Sequence, residues 1–510
     1  MTAARAKLLS LLYEQGARPG DRPLLSDASG TTSAGRLAER VDAKARALRE
    51  AGAGPGTLVG TVAWPAAEFV SDVFAIISAG AAAVPLSRRT TPWELRRIRD
   101  RCALDFLSAP HESPLALPVT AAQQGVRTLS GVREPGRRAA RHHAFEEAAT
   151  AQITSGTTGY PQVALRSAAA LLAEAESYRT ALGLGPESRL LCPVPLQHAY
   201  GFGLCAVAAT LAGAHVRYLT PDKPRLLLRE LAAGDVTLFV GVPPMLRLLA
   251  KAARVLPHDG RTVGFLSAGM ALDAHTAELV ATRLGGHVGQ VYGTTETGPI
   301  CVSSPAPWQP GTFGPGAPLP GVEVRLSPVP EAAGDGADVS TAVPGQAVPG
   351  QAVQGQAVPG LVTVTSPSMM LGYADGESVD ATPLRDGFTT GDLARWEGRE
   401  LVLAGRLSTS INVAGAKVSP EEIEAVLLAF PDVASCLVSG VDDPVLGQRI
   451  SATVTPGTVD LGKLDRFCRE RLSPSCVPHA FASVAELPTT ETGKVIRPRT
   501  GQLRNRESEN

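Results

Sequence analysis

Strand-like and helix-like segments alternate along this chain, and that alternation restricts its fold more than any other feature. Residues 33–53 place Leu37, Val41, Ala45 and Leu48 at helical spacing, with Gly52 and Gly54 behind them as a stop. Thr57 to Ala63 is a short β-like run, 65–80 reads as a buried helix ending at Gly80, and AAAVPL (81–86) returns as a strand. The rhythm recurs over 205–250, where an Ala/Leu run of helical character leads to HVRYL, then a helix, then VTLFVGVP. Such alternation predicts an α/β sheet. A chain of 510 residues with 44% apolar side chains is too long for one ordinary core, so two or more domains are expected.

The character changes between Val329 and Gly360. Residues 342–360 read AVPGQAVPGQAVQGQAVPG, a five-residue repeat whose Pro-Gly pairs favour type II turns. With no large side chains to stack, it reads as a flexible low-complexity insertion (329–360) rather than a solenoid. The β-like text on either side, VEVRL and LVTVTSP, forms two candidate strands bridged by this loop. A second boundary lies near Arg406. Beyond it, SPEEIEAVLLAF (419–430) is a helix with Ser419 as candidate N-cap, Pro420 at N1 and Glu422 at N3. CLVSGVDD, ISATVTP and a helix from Leu461 to Leu472 complete a compact α+β unit of about 100 residues. The expectation is an N-terminal core over 1–405, built of several subdomains with layered sheets and helices. A hinge at 406–410 and a small mobile C-terminal domain over 411–510 follow.

Charge and cysteine content exclude several classes. A net charge of −1 gives no global field favouring nucleic acid. The basic run from Arg133 to His143 lacks the interleaved aromatics that base stacking needs and reads as a solvated loop. Seven cysteines, at Cys102, Cys192, Cys205, Cys301, Cys436, Cys468 and Cys476, stand singly with no CxxC pair. That pattern fits a reducing cytoplasm better than a disulfide framework. The opening MTAARAKLLSLLYEQGARPGD is too short and polar for a signal peptide or a membrane span.

The segment AQITSGTTGYPQVALRS (151–167) carries the strongest local signal. Thr154, Ser155, Gly156, Thr157, Thr158 and Gly159 offer hydroxyls and close backbone N–H groups to phosphate oxygens, because glycine permits tight approach. It is not a Walker loop: no GxxxxGK followed by Ser or Thr occurs, and β-like text rather than a helix follows. Other segments are unremarkable alone. VYGTTETG (291–298) is a turn with one acid, Lys494 is one lysine among many, and His198 sits in an apolar stretch.

In order, however, these segments resemble the adenylate-forming superfamily of acyl- and aryl-CoA synthetases, peptide-synthetase adenylation domains and luciferases. TSGTTGYP is similar to its phosphate loop. VYGTTETG, with Gly293 and Thr294, resembles its YGxTE motif. The resemblance implies that Tyr292 stacks on adenine, Gln290 reads the adenine edge, Thr295 touches the α-phosphate and Glu296 holds Mg²⁺. SAGMAL (267–272), with Gly269, resembles the adenine-pocket loop. TTGDLARW (389–396) resembles the TGDL motif, in which Asp392 would accept hydrogen bonds from both ribose hydroxyls. GRLSTSINVAGAKVSPEEIE (405–424) resembles the hinge segment, with Arg406 at ribose or phosphate, and TTETGKVIR (489–497) resembles the terminal lysine motif. A lysine there, Lys494, suits the charge that develops on α-phosphorus. CPVPLQHAYGFG (192–203) resembles the PLFHxxG segment, which implies that His198 positions the carboxylate. Tyr200, Pro299 and Ile300 fall where the text is similar to 4-coumarate–CoA ligases, which favours an aromatic or arylacrylic acid.

The resemblance implies an AMP-forming enzyme that uses ATP and Mg²⁺, activates a small acid, and passes it to CoA or a carrier-protein thiol. A cytoplasmic monomer or homodimer is expected, with neither nucleic acid nor membrane as partner. Three segments depart from the family pattern. Gln162 replaces the phosphate-loop lysine, Thr409 replaces the usual hinge Asp or Lys, and INVAG, with Asn412 and Ala414, replaces IKxxG or IKxKG. Gln162 and Thr409, with the coumarate-like pocket residues, keep open a diazotase that adenylates nitrite and diazotises an aminoaryl acid. A degenerate nucleotide-binding protein is a further alternative, against which the retained Glu296, Asp392, Arg406 and Lys494 argue.

Overall fold

The computed structural model describes all residues except 1, 19, 21, 89, 91–94, 96–97, 100, 109–118, 124–125, 130–140, 155–161, 221–222, 254–261, 310–313, 330–358, 408–410, 414–415, 419, 444–446, 473–475, 490–494 and 496–510. The low-complexity repeat, most of the basic run and the Ser419 cap lie outside the described residues.

The expected alternation is present. The helix Ala34–Glu50 buries Leu37, Val41, Ala45 and Leu48, and the hydroxyl of Ser33 caps its N-terminus by accepting from the Arg36 amide at 3.4 Å. The strand Leu58–Val62, the helix Ala66–Ser78 and the strand Ala82–Leu86 follow. That second helix is apolar on nearly every side, with Phe69, Val70, Val73, Phe74, Ile76 and Ile77 all buried, so it has to lie inside the molecule.

Among the described residues the strands form four sheets. One has eight strands. Its centre (Gly264–Ala268, Leu238–Gly241, Arg189–Cys192 and His215–Tyr218) is parallel, with His287–Thr294 parallel beside it and Gly298–Ala306 antiparallel at the edge. The second has nine strands and includes Gly372–Asp375, Gln162–Ser167, Ala148–Thr154, Ala82–Leu86 and Leu58–Val62 as consecutive neighbours. The third is an antiparallel set of Glu323–Ser327, Gly360–Thr365, Phe388–Glu397 and Glu400–Arg406. VEVRL and LVTVTSP thus pair as expected. Gly360 belongs to the strand and not to the insertion, because it sits opposite Ala394 in the ladder.

The fourth sheet is built after Arg406, from Ile411–Val413, Ala416–Val418, Ser435–Asp443, Gly447–Thr455 and Ala480–Ser483. The helix Pro420–Ala429 contributes Ile423 and Leu427 to its separate core, which also holds Val433, Val438, Ile450 and Leu464. The last helix is shorter than expected. It spans Leu461–Arg469, capped by Asp460, and Glu470 to Leu472 close its end with amides that donate back to Arg466 and Cys468. No described helix is long and apolar enough to cross a membrane.

Candidate active site

In an open parallel sheet, ligands bind beyond the carboxyl ends of the strands, where helix N-termini and loops converge. The eight-stranded sheet presents its singled-out residues at that edge. His198 and Tyr200 follow Arg189–Cys192, Gly269 follows Gly264–Ala268, and Thr295 and Glu296 follow His287–Thr294. A surface depression of about 520 Å³, bordered by Glu187, Arg189, Asp235, Thr237 and Thr262, lies at the opposite ends of these strands.

Two carboxylates organise the edge, and each is held by a phenol. Asp392 accepts from the Tyr292 hydroxyl at 2.9 Å through Oδ2 and from Arg406 Nε at 2.6 Å through Oδ1. The pairing is dictated by register, since Asp392 and Arg406 stand opposite each other in the hairpin of Phe388–Glu397 and Glu400–Arg406. Burial opposes the charge of Arg406, but Asp392, with Tyr292 and Glu296 farther off, outweighs it and raises its pKa. The phenol of Tyr292 is pushed well above its ordinary pKa by burial and then by Asp392, so it remains a donor. Glu296 receives the Tyr373 hydroxyl at 2.8 Å, and its backbone carbonyl receives the Met370 amide at 2.7 Å. Burial, then Glu296, likewise raises the Tyr373 pKa.

The turn that carries Thr295 and Glu296 is closed by its own hydroxyls. Thr294 Oγ1 and Thr297 Oγ1 lie 3.1 Å apart, and the Thr297 amide donates to Thr294 Oγ1 at 3.2 Å. Gly293 is required beside it, because a Cβ there would lie 2.5 Å from the Gly298 carbonyl oxygen. Thr295 and Glu296 stay half-buried at the edge. Gln290 is buried, and its backbone N–H donates to Ser303 Oγ at 2.8 Å.

The remaining expected residues fall in several places. Thr154 ends the strand Ala148–Thr154 and stands opposite Gln162, and its Oγ1 is buried with no hydrogen-bond partner among the described residues. Ser155, Gly156, Thr157, Thr158, Gly159, Thr409 and Lys494 lie outside the described residues. His198 is exposed, whereas Tyr200 donates its hydroxyl to the Leu266 carbonyl at 3.0 Å. Gly269 is exposed at φ +81°. Ile300, expected to line the acid pocket, is fully buried in a core cluster with Val362, Val364 and Leu401, and Tyr292 packs into the same cluster. Pro299, at the position before it, is also buried. Two contributors escaped the sequence reading: Tyr373, which has no motif around it, and Thr390, whose Oγ1 lies 3.2 Å from the Tyr292 hydroxyl and accepts from the Asp392 amide at 3.1 Å. The text TTGDL holds Thr390, so that one was within reach.

The AMP-binding enzyme family matches residues 12–374, and the AMP-binding enzyme C-terminal domain matches residues 422–494. The chain belongs to the AMP-binding enzyme family. Among curated relatives of this AMP-binding enzyme, naringenin synthase from Pestalotiopsis fici is 31% identical over 502 residues. That match covers 90% of this chain but only 18% of the fungal protein, so the chain spans less than a fifth of that relative's length. Feruloyl-CoA synthase from Amycolatopsis sp is 28% identical over 483 residues, covering 92% of this chain and 93% of that one. Among solved structures, ATP-bound MatB from Rhodopseudomonas palustris superposes with a TM-score of 0.75 at 23% identity, covering 96% of this chain and 97% of that one. The fold is thus the mixed α/β fold of acyl- and aryl-CoA-ligase-like adenylate-forming enzymes, with the small C-terminal domain.

The residues present fit Mg²⁺ that arrives with ATP. Among the described residues no cluster of three or more His, Cys, Asp or Glu could cage a metal. Glu296 engages one carboxylate oxygen with Tyr373 and has no further described hydrogen bond from its side chain. Mg²⁺ dehydrates reluctantly and is usually held by one or two carboxylates together with substrate phosphates, which is the role a single half-buried glutamate can fill.

Proposed function

We propose that this AMP-binding enzyme transfers AMP from ATP to a small carboxylic acid, aromatic or arylacrylic, and then passes the acyl group to CoA or a carrier-protein thiol. One observation carries the reading: Asp392 and Glu296, each fixed by a phenol, stand on neighbouring elements at the ligand-binding edge, with Arg406 paired to the first. Feruloyl-CoA synthase, aligned over nearly its whole length, supports the substrate class.

In this reading Asp392 accepts the ribose hydroxyls. A carboxylate offers about four acceptor sites, so the two taken by Tyr292 and Arg406 leave room for them. Thr154 donates its hydroxyl toward phosphate. Glu296 would hold Mg²⁺, which when bound would neutralise part of the phosphate charge and help orient the phosphates. An oxygen of the acid attacks α-phosphorus, an O–P bond forms, the α–β bridging bond breaks and pyrophosphate leaves. Lys494 offsets the charge on the five-coordinate phosphorus. Thr409 serves as the hinge of the C-terminal domain, whose reorientation withdraws Lys494. A thiol then attacks the carbonyl carbon and AMP departs. His198 and Gly269 border the acid.

The second reading, adenylation of nitrite and diazotisation of an aminoaryl acid, is favoured by Gln162. It stands opposite Thr154 at the root of the phosphate loop and brings an amide where the resembling loops bring a cation. A pyrophosphate-release screen over aryl, arylacrylic and aliphatic acids, with and without CoA and with and without nitrite, tests both. Acid-dependent release with a hydroxylamine-trappable adenylate supports the first. AMP formation that requires nitrite and an aminoaryl acid supports the second. ADP as product eliminates both.

A further inference from the structure

Arg166 and Glu174 form an ion pair that none of the steps above uses. Their side chains are 0% and 3% exposed, with Arg166 Nη1 2.6 Å from Glu174 Oε2. Two charges taken out of water are costly, and a well-packed apolar pair of similar volume often does as well. The pair therefore calls for a role beyond stability, and its other contacts indicate one.

Arg166 lies on the strand Gln162–Ser167, where Gln162, Ala164 and Arg166 share one face by strand alternation. Val163 and Leu165 face the opposite way into an apolar core. Arg166 Nη1 donates to Gln152 Oε1 at 3.3 Å, and Gln152 is two residues from Thr154 at the root of the phosphate loop. Arg166 Nη2 donates to the Ser368 carbonyl at 2.9 Å. Ser368 begins the stretch that holds Glu296: the Met370 amide donates to the Glu296 carbonyl, and the Tyr373 hydroxyl donates to its carboxylate. Tyr373 itself pairs with Ala164, on the Arg166 face.

The turn bearing Glu296 also closes onto the guanidinium. Gly298 has φ +67°, and a Cβ there would lie 2.7 Å from Ser368 Cβ and 3.1 Å from Arg166 Nη2. At the other end, the Glu174 carboxylate occupies the space a Cβ on Gly203 would need. Gly203 lies in the π-helix Gly201–Ala208, which begins three residues after His198. Single π-turns of this kind recur at functional sites.

We propose that Arg166 and Glu174 are a positioning pair, which sets the Glu296 carboxylate against the root of the phosphate loop and so fixes where the metal of Mg·ATP is received. The inference rests on the reading of Glu296 as the metal-binding carboxylate.

The test uses the full chain and Mn²⁺·ATP, with the free Mn²⁺ electron-spin-resonance signal and calorimetry as readouts, beside metal-free ATP and thermal melting. The double variant Arg166→Met/Glu174→Leu removes both charges at similar volume. It is expected to weaken Mn²⁺·ATP binding about tenfold, the loss of one charge-assisted contact, while metal-free ATP affinity and melting stay near the parent. With an acid that supports turnover, kcat falls and the acid KM holds. Arg166→Lys keeps the pairing charge but loses the reach to both Ser368 and Gln152, and shifts metal binding in the same direction. It decides the matter if the double variant does not fold. Unchanged Mn²⁺·ATP affinity in a folded variant overturns the positioning role, as does equal weakening with and without metal. Glu296→Gln separates the two levels. If it weakens Mn²⁺·ATP while the Arg166 variants do not, only positioning fails; if it has no effect, the reading of Glu296 fails and positioning with it.

Discussion

Asp392→Asn is the sharpest perturbation of the proposed nucleotide site, because the asparagine keeps the shape while losing the charge and one of the two acceptor oxygens, with an NH2 in its place. Its amide oxygen still accepts from the buried Tyr292 hydroxyl, which lies 2.9 Å from Oδ2 in the parent. The ion pair with Arg406 is lost, but Arg406 is 44% exposed. With Asp392 13% exposed the pair is half-exposed, and such a pair contributes about 1 kcal/mol, which corresponds to a melting shift of at most about 4 °C in a domain of 150–250 residues and less in a larger one. Nucleotide binding responds more strongly. Hydrogen bonds from ribose hydroxyls to a carboxylate are charge-assisted and contribute about 1.5–3 kcal/mol, so the Kd for ATP rises roughly 10- to 150-fold. Calorimetry with ATP, 2′-deoxy-ATP and 3′-deoxy-ATP isolates the cause. The parent discriminates against both deoxynucleotides, and the variant binds all three nearly alike. An Asp392→Asn protein that melts normally, binds ATP as the parent does and keeps the same ribose discrimination would refute the assignment of Asp392 to ribose.

Other expectations are as direct. Lys494→Ala abolishes AMP transfer and spares ATP binding; near-normal turnover removes Lys494 from the mechanism. Excision of 342–358, sparing Gly360 because it pairs with Ala394, leaves turnover and melting close to the parent, and collapse of activity would make the repeat structural. His215 gives an acid limb. Burial, then Arg217 and Arg189, lowers its pKa from 6.5 to about 4, and its Nε2 lies 2.8 Å from Ser26 Oγ. The unfolded chain therefore takes up a proton before the folded one does. This contribution is present above pH 6.5 and is lost as pH falls toward 4, with a slope below about 1.4 kcal/mol per pH unit because the ring is only partly buried. His215→Gln flattens that limb in urea titrations at pH 4.5 and 7, and an unchanged difference between the two pH values rules His215 out.

What the sequence made legible follows from the range over which each signal acts. Local periodicity located the helix Ala34–Glu50, the strands around it and the hairpin partners VEVRL and LVTVTSP, because burial of alternating or helical faces is written residue by residue. The motifs that carry the family resemblance were legible because hydroxyls, glycines and carboxylates stand close together in the text, and the family itself is matched over residues 12–374. Tyr373 was not, since its partner Glu296 is 77 residues away and the contact depends on Gly372–Asp375 pairing with Gln162–Ser167. Arg166 and Ser368 are 202 residues apart for the same reason. The run after His198 read as helical, but nothing in Ala- and Leu-rich text distinguishes an i→i+5 ladder from an α-helix. Ile300 was assigned to a pocket from neighbouring text, whereas the third sheet, packing against it, draws it into a core.

The two phenol–carboxylate pairs share one construction, and it bears on how the site stays ready for its ligand. A buried tyrosine whose pKa is raised keeps its proton across the physiological range, so it can only donate to the acid beside it. Such a donor fixes the direction of the carboxylate while taking one of about four acceptor positions. A lysine in the place of either phenol would bring a further full charge into the site, and a phenylalanine would remove a donor that sets the carboxylate's direction, leaving Asp392 held, among the described residues, by Arg406 alone and Glu296 without its described side-chain hydrogen bond. Tyr292 and Tyr373 meet both demands at once, and they come from opposite sides of the site: Tyr292 from the eight-stranded sheet toward Asp392, and Tyr373 from the nine-stranded sheet toward Glu296. Each sheet thereby orients a carboxylate carried by a different sheet or by the turn at its edge. The geometry of the proposed nucleotide site is in this way tied to the packing of the sheets against one another, and not to any single loop.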